Sequence, residues 1–303
     1  MEPFPVYTFS MEPIPQRSSS AQPSRGLIDT RLPLPGGLEV SFGQVTILAG
    51  IVFFALVVPG DFKYKMDGLG FAVCHQIHTH SFTIGGHQLP LCARCTGMYL
   101  GVLVTLLLLA RLRRKAVRLP ARGVLPVLGL FFGVMVLDGI NSTLQTFGSG
   151  LWETTNLLRL ITGALSGIAA AFIFYPVFNI SLWNRDVTHK EHVIEQLFEL
   201  APYLIGTGLL VVLVLDGGSW LFYPLALLSM GGMLALLTMA NTMVVLIVSR
   251  REGSIRTISE ALTPILLGLL ISLVLLSLVA WGRASLAPNM ANSIGIPLVP
   301  GLP

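Results

Sequence analysis

Charge is what this 303-residue sequence has least of: Asp, Glu, Lys and Arg make up 11% of it, against roughly 25% in an ordinary soluble domain. With 53% hydrophobic residues and a mean hydropathy of +0.76, that shortage excludes the soluble fold classes. The net charge is +4, but the Lys and Arg residues lie between apolar runs and form no continuous basic face, which speaks against a nucleic-acid partner. The partner implied is the lipid bilayer.

Other absences narrow the chemistry. No histidine lies inside an apolar run, so membrane haem held between two histidines is excluded, and the last lysine, Lys190, comes too early for a retinal linkage in a late helix. Thr96 follows the Cys-x-x-Cys pair where covalent haem attachment needs His, and no His-Glu-x-x-His is present. Three cysteines are one short of the common iron–sulfur sites, and a Rieske centre needs a different spacing. The apolar runs carry no carboxylate in mid-span, which argues against a proton-coupled transporter, and the lack of an internal repeat argues against a repeat-built one.

What is present is an all-α pattern. Apolar runs at about 41–59, 96–112, 124–140, 157–179, 200–215, 220–249 and 260–282 predict a polytopic transmembrane bundle of about seven helices. Residues 1–38, rich in Pro and Ser, read as a disordered arm that does not resemble a signal peptide. A membrane domain is expected over 39–180, with a Cys/His loop at 61–95. A cytoplasmic amphipathic loop follows at 181–199, in which Val193, Leu197 and Phe198 would face the membrane, then the C-terminal membrane helices at 200–282 and a flexible tail at 283–303.

The basic residues set the orientation. Arg111, Arg113, Arg114, Lys115, Arg118 and Arg122 lie in one short loop, Arg185 and Lys190 in a second, and Arg250, Arg251 and Arg256 in a third. All three fall on one side of a seven-helix count, together with the N-terminal arm, and the positive-inside rule assigns that side to the cytoplasm. The Cys/His loop and the 141–156 loop are then extracytoplasmic, on a multi-pass protein of the cell membrane. Gly97/Gly101, Gly129/Gly133 and Gly163/Gly167 have the spacing that lets helix backbones approach closely in lipid. They predict a tight bundle of the second to fourth spans, with the last three as an added Leu-rich unit.

All three cysteines, Cys74, Cys92 and Cys95, and four of the six histidines fall in the one extracytoplasmic loop. A Cys-x-x-Cys pair is a compact clamp, and a third thiol with one imidazole would complete a tetrahedral site of three sulfurs and one nitrogen, for which zinc is the best-suited ion. His78, His80 and His87 are the candidate fourth ligands, because His75 is adjacent to Cys74 and would point away from it. His75 could instead orient a ligand or contact a substrate. The rival readings are a thiol–disulfide redox pair of Cys92 and Cys95 at a helix start, and a structural loop within a larger membrane assembly. A second polar group, Asp138, Asn141, Gln145, Asn156 and Arg159, falls on the same side, with Asp138 and Arg159 as expected partners at the membrane boundary. Asn241 is expected to bond between helices.

The stretch from Cys74-His75 through His80-Ser81-Phe82 to Cys92-Ala93-Arg94-Cys95-Thr96-Gly97-Met98-Tyr99 resembles a prokaryotic membrane family, the domain of unknown function 2085. Leu137-Asp138-Gly139, Asn156, Arg159 and Thr162-Gly163 resemble its second motif, and together the two cover roughly residues 65–175. The resemblance implies that Cys74, His75, Cys92, Arg94, Cys95, Asp138, Asn156 and Arg159 belong to one site, and it implies no particular reaction. The family pattern usually has Arg where this chain has His80, which makes a family-wide ligand role for His80 less expected.

Overall fold

Apolar chain in lipid must satisfy its own backbone hydrogen bonds, and a helix does so locally. The computed structural model describes residues 31–33, 39–57 and 61–286 and is an all-α bundle. Its helices are α1 (Phe42–Val57), α2 (Phe62–Val73), α3 (Ala93–Leu112), α4 (Leu125–Thr146), α5 (Asn156–Leu182), α6 (Ala201–Asp216), α7 (Phe222–Val248) and α8 (Ile258–Leu286). Six spans, built on α3 to α8, are long and apolar enough to cross a membrane; α1, the expected first span, has 16 residues and is shorter than these. Helix α2 lies within the segment read as a loop. The Asp61 carboxylate caps it by accepting from Tyr64 N at 2.8 Å, and Lys63 pairs with Asp67 one turn on, at 2.5 Å.

The bundle is organised around α3 and α5. A Cβ on Gly97 or Gly101 would collide with the backbone of Leu160 and Ala164, and one on Gly163 or Gly167 with the backbone of Arg94 and Met98. Two of the three predicted glycine pairs therefore face each other across a single crossing, the close backbone approach that small residues permit. The third pair does not take part: Gly129 and Gly133 have nothing within 4 Å. The expected division between early and late helices is also corrected, because α7 leans directly on α3, with Gly232 against the Tyr99 carbonyl. Asn241 donates to Ser272 Oγ at 2.8 Å between α7 and α8, as its place in a span suggested.

The short strands all serve loops. β1 (Arg31–Pro33) pairs antiparallel with β2 (Glu39–Ser41), so part of the expected disordered arm is paired, while 1–30 and 34–38 lie outside the described residues. β3 (Thr83–Ile84) and β4 (His87–Gln88) form a hairpin whose turn, Gly85-Gly86, has positive φ at both positions (57° and 80°). β5 (Ala116–Arg118) pairs in parallel with β6 (His189–His192). β6 lies within the expected amphipathic loop of 181–199. Backbone pairing to Lys115 and Arg118 extends the segment, and Val193 and Ile194 sink into the protein core instead of facing lipid. The expected tail at 283–303 is helical through Leu286, and its remainder lies outside the described residues.

The two ends of the bundle differ in chemistry. At one end the three basic loops interlock: Arg113 pairs with Glu199 at 2.9 Å, Arg256 with Asp186 at 3.0 Å, and Asn184 N donates to Ile255 O at 2.7 Å. The opposite end carries the Cys/His segment. If the α3–α5 crossing holds the bundle together, Gly163→Leu should lower the thermal unfolding midpoint in detergent, with a loss of about 1–3 kcal/mol. Gly133→Leu should leave it unchanged. Equal effects would show that the crossing is not the anchor.

Candidate functional site

The thiols are brought together by two helix ends. Cys74 closes α2, its N–H donating to Gly70 O at 2.9 Å; Cys92 is the N-cap of α3, and Cys95 lies in its first turn. Their three sulfur atoms lie within 4.8 Å of one another and none is in a disulfide. Cys74 and Cys92 are buried and Cys95 partly so. The Cys92 N–H donates to Cys74 Sγ at 3.2 Å. Hydrogen bonds from the Cys92 thiol and then the Cys95 thiol pull the Cys74 pKa down to about 2. The Cys92 thiol, whose proton is held by Cys74, rises to about 11.

Gln76 holds this arrangement in place. Its backbone takes a positive φ of 50°, which carries the chain back over the thiols. Its buried side chain donates to Asp67 O at 2.8 Å and Pro90 O at 2.6 Å, tying α2 to the approach to α3. Gln88 donates in turn to Gln76 O at 2.8 Å. From α8, Arg283 donates to the carbonyls of Phe71 and Cys74 and lies 4.4 Å over the Phe71 ring. Burial raises the Asp67 pKa even though Lys63 beside it works the other way.

No histidine belongs to the close donor set. His75 lies edge-on to His80 at 5.6 Å and accepts from Ile77 N at 3.2 Å; His78 is exposed on a short 3-10 turn; His87 packs against Phe222 at 5.3 Å. His80 is half-buried, and burial, followed by the charge of Arg159, lowers its pKa.

The second polar group assembles beside the thiols, with a change of partner. Asp138 pairs with Arg94, not with the expected Arg159, because the first turn of α3 brings the Arg94 guanidinium against α4. Thr162 Oγ1 adds a 3.5 Å bond to the same carboxylate. Helix α4 runs two turns past Asp138, so a carboxylate does lie within a span, contrary to expectation. It is level with the first turns of α3 and α5. Arg159 donates to Asn156 Oδ1 at 2.9 Å and Ser142 Oγ at 3.1 Å. Asn156 reaches the other way, donating to Thr79 O at 3.1 Å, and so links α5 to the Cys/His segment. Asn141 and Gln145 instead staple the 141–156 loop through Trp152 O, at 2.7 and 2.5 Å.

Gln76, Ser142 and Arg283 are the residues that sequence reasoning passed over. Arg283 alone left a trace, as a basic residue at the end of the bundle that charge counting assigns to the outside. The Arg94–Asp138 pair is open to test. Asp138→Leu strands a largely buried guanidinium and should cost about 3–5 kcal/mol, most of it recovered on adding Arg94→Met. A double variant as unstable as the single one in thermal denaturation would contradict the pairing.

Residues 74–173 match the family described as "Predicted membrane protein (DUF2085)", a segment that contains every member of the thiol and polar groups except Arg283. The chain is 35% identical over 114 residues to an uncharacterized protein of Methanocaldococcus jannaschii, covering 37% of this chain and 68% of that protein. It is 36% identical over 101 residues to an uncharacterized protein of Methanothermobacter thermautotrophicus, covering 33% of this chain and 83% of that protein. No solved structure matches.

Proposed function

The chain belongs to the family described as "Predicted membrane protein (DUF2085)", and from that premise we propose that it is a multi-pass protein with a three-cysteine metal centre at the extracytoplasmic membrane surface. The observation that carries the reading is the convergence of three unpaired thiols within 4.8 Å, with the Cys92 N–H donating to Cys74 Sγ. Three thiols kept close but unoxidised suit a soft divalent ion, and zinc fits best because it takes Cys ligands in tetrahedral sets. Amide bonds to sulfur are the kind of support that holds metal-bound thiolates in place.

Cys74, Cys92 and Cys95 would hold the ion, leaving one position for a loop histidine (His78, His80 or His87), a water or a substrate. With a protein ligand there the site is structural; with an exchangeable one it can do chemistry. Zinc in an open site acts as a Lewis acid on a bound oxygen. In that case Arg94, Asp138, Asn156 and Arg159 would orient the substrate, and Asn156 would couple its position to the thiol loop through Thr79. The location of Cys92 at the N-cap of α3 favours a second reading, a thiol–disulfide exchanger that uses Cys92 and Cys95.

The two readings give opposite results. A metal centre gives about one equivalent of zinc by elemental analysis of detergent-purified protein, lost in Cys92→Ser, with thiols that resist alkylation until a chelator is added. An exchanger gives two thiols that become alkylatable only on mild reduction. Unchanged metal content in Cys92→Ser would refute the metal centre.

A further inference from the structure

Arg159 is 7% exposed, yet among the described residues it enters no ion pair. Its bonds go to neutral acceptors, Asn156 Oδ1 and Ser142 Oγ, and its Nε has no partner. A buried guanidinium at a membrane boundary is costly unless an opposite charge meets it. Asp138 does not do so: its ion pair is with Arg94. The group formed by Arg94, Asp138 and Arg159 thus carries one uncompensated positive charge.

The remaining unpartnered atoms narrow what could compensate it. Arg94 Nε and Asp138 Oδ1 are, like Arg159 Nε, buried without a hydrogen-bond partner. Arg94 and Asp138 both lie within electrostatic reach of Arg159, and His80 within reach of both arginines. Two N–H donors and one carboxylate oxygen are therefore unsatisfied in one neighbourhood. A carboxylate ligand offers only acceptors and would leave Asp138 Oδ1 facing a second anion. A singly protonated phosphate offers acceptor oxygens for the arginines and one O–H for the aspartate. The first turns of α3 and α5, which carry Arg94 and Arg159, add the positive ends of two helix dipoles.

We infer that Arg159, Arg94 and Asp138 form a binding site for a phosphoryl group, from a soluble phosphate compound or a lipid headgroup. This deepens the reading of the outer face as a single site by naming its ligand class, and it does not require that the thiols hold metal. Asn156 accepts from Arg159 and is the position at which the site can be closed from within. Asn156→Asp places a carboxylate against Arg159, where it competes with the ligand, and gives up the bond to Thr79 O.

The test measures thermal unfolding of the full chain in detergent against inorganic phosphate, with chloride at matched ionic strength as control. It is repeated in nanodiscs containing phosphatidic acid, a phosphate monoester, or of phosphatidylcholine alone, and metal content is measured in parallel. Phosphate or phosphatidic acid should raise the wild-type midpoint saturably. Asn156→Asp should bind at least about tenfold more weakly. Arg159→Gln should lose the response as well. The arm that responds identifies the source of the phosphoryl group. Stabilisation by neither, or an unchanged response in Asn156→Asp, overturns the site. Stabilisation of Asn156→Asp without any phosphate response in the wild type, with and without chelator, assigns the counter-charge to the thiols and also overturns it. Loss of metal with the phosphate response intact would count against the metal centre alone.

Discussion

Everything at the Cys/His end of the bundle depends on how closely α3 and α5 can approach. Four glycines remove the side chains that would hold the two helices apart, so each backbone packs on the other over two turns. The first turns of both helices are thereby placed side by side. That puts Cys92, Arg94 and Cys95 on α3 next to Asn156, Arg159 and Thr162 on α5, with α4 supplying Asp138 from the flank. A wider crossing would separate the thiols from the arginines.

The close crossing also creates an electrostatic problem. Two guanidinium groups and a carboxylate end up largely out of water, where isolated charge is strongly disfavoured. Arg94 and Asp138 solve part of it between them. Arg159 receives only neutral oxygens, and Asn156 divides itself between that arginine and the Cys/His segment. The thiol group and the polar group are consequently coupled through Asn156, so a change in either is transmitted to the loop that joins them. Arg283 adds a third anchor from the far end of the chain, holding the carbonyl of Cys74.

Much of this was legible in one dimension. Six of the seven expected spans appear as long apolar helices, and the three basic loops meet at one end, as their charge count required. The clustering of Cys74, Cys92 and Cys95 was expected from their place in one short segment, but the helix α2 that ends at Cys74 was not. The illegible parts share one cause, pairing between distant segments. The 181–199 segment has the periodicity of an amphipathic helix, but its backbone groups found partners in the 115–118 segment and became β6. The Gly129/Gly133 spacing is identical to that of the two pairs that pack, yet no neighbour reaches it.

Composition and local spacing by themselves determined the membrane class, the number and place of most spans, which loops share a side, and which residues could do chemistry. These follow from transfer free energy and helical period, which act along the chain. Tertiary structure alone decided that Arg94 and not Arg159 takes Asp138, and that the close sulfur set contains no histidine. It also decided that Gln76 and Arg283 frame the thiols. Those outcomes turn on differences of a few ångströms between side chains on separate helices, and such distances exist only once the helices have packed.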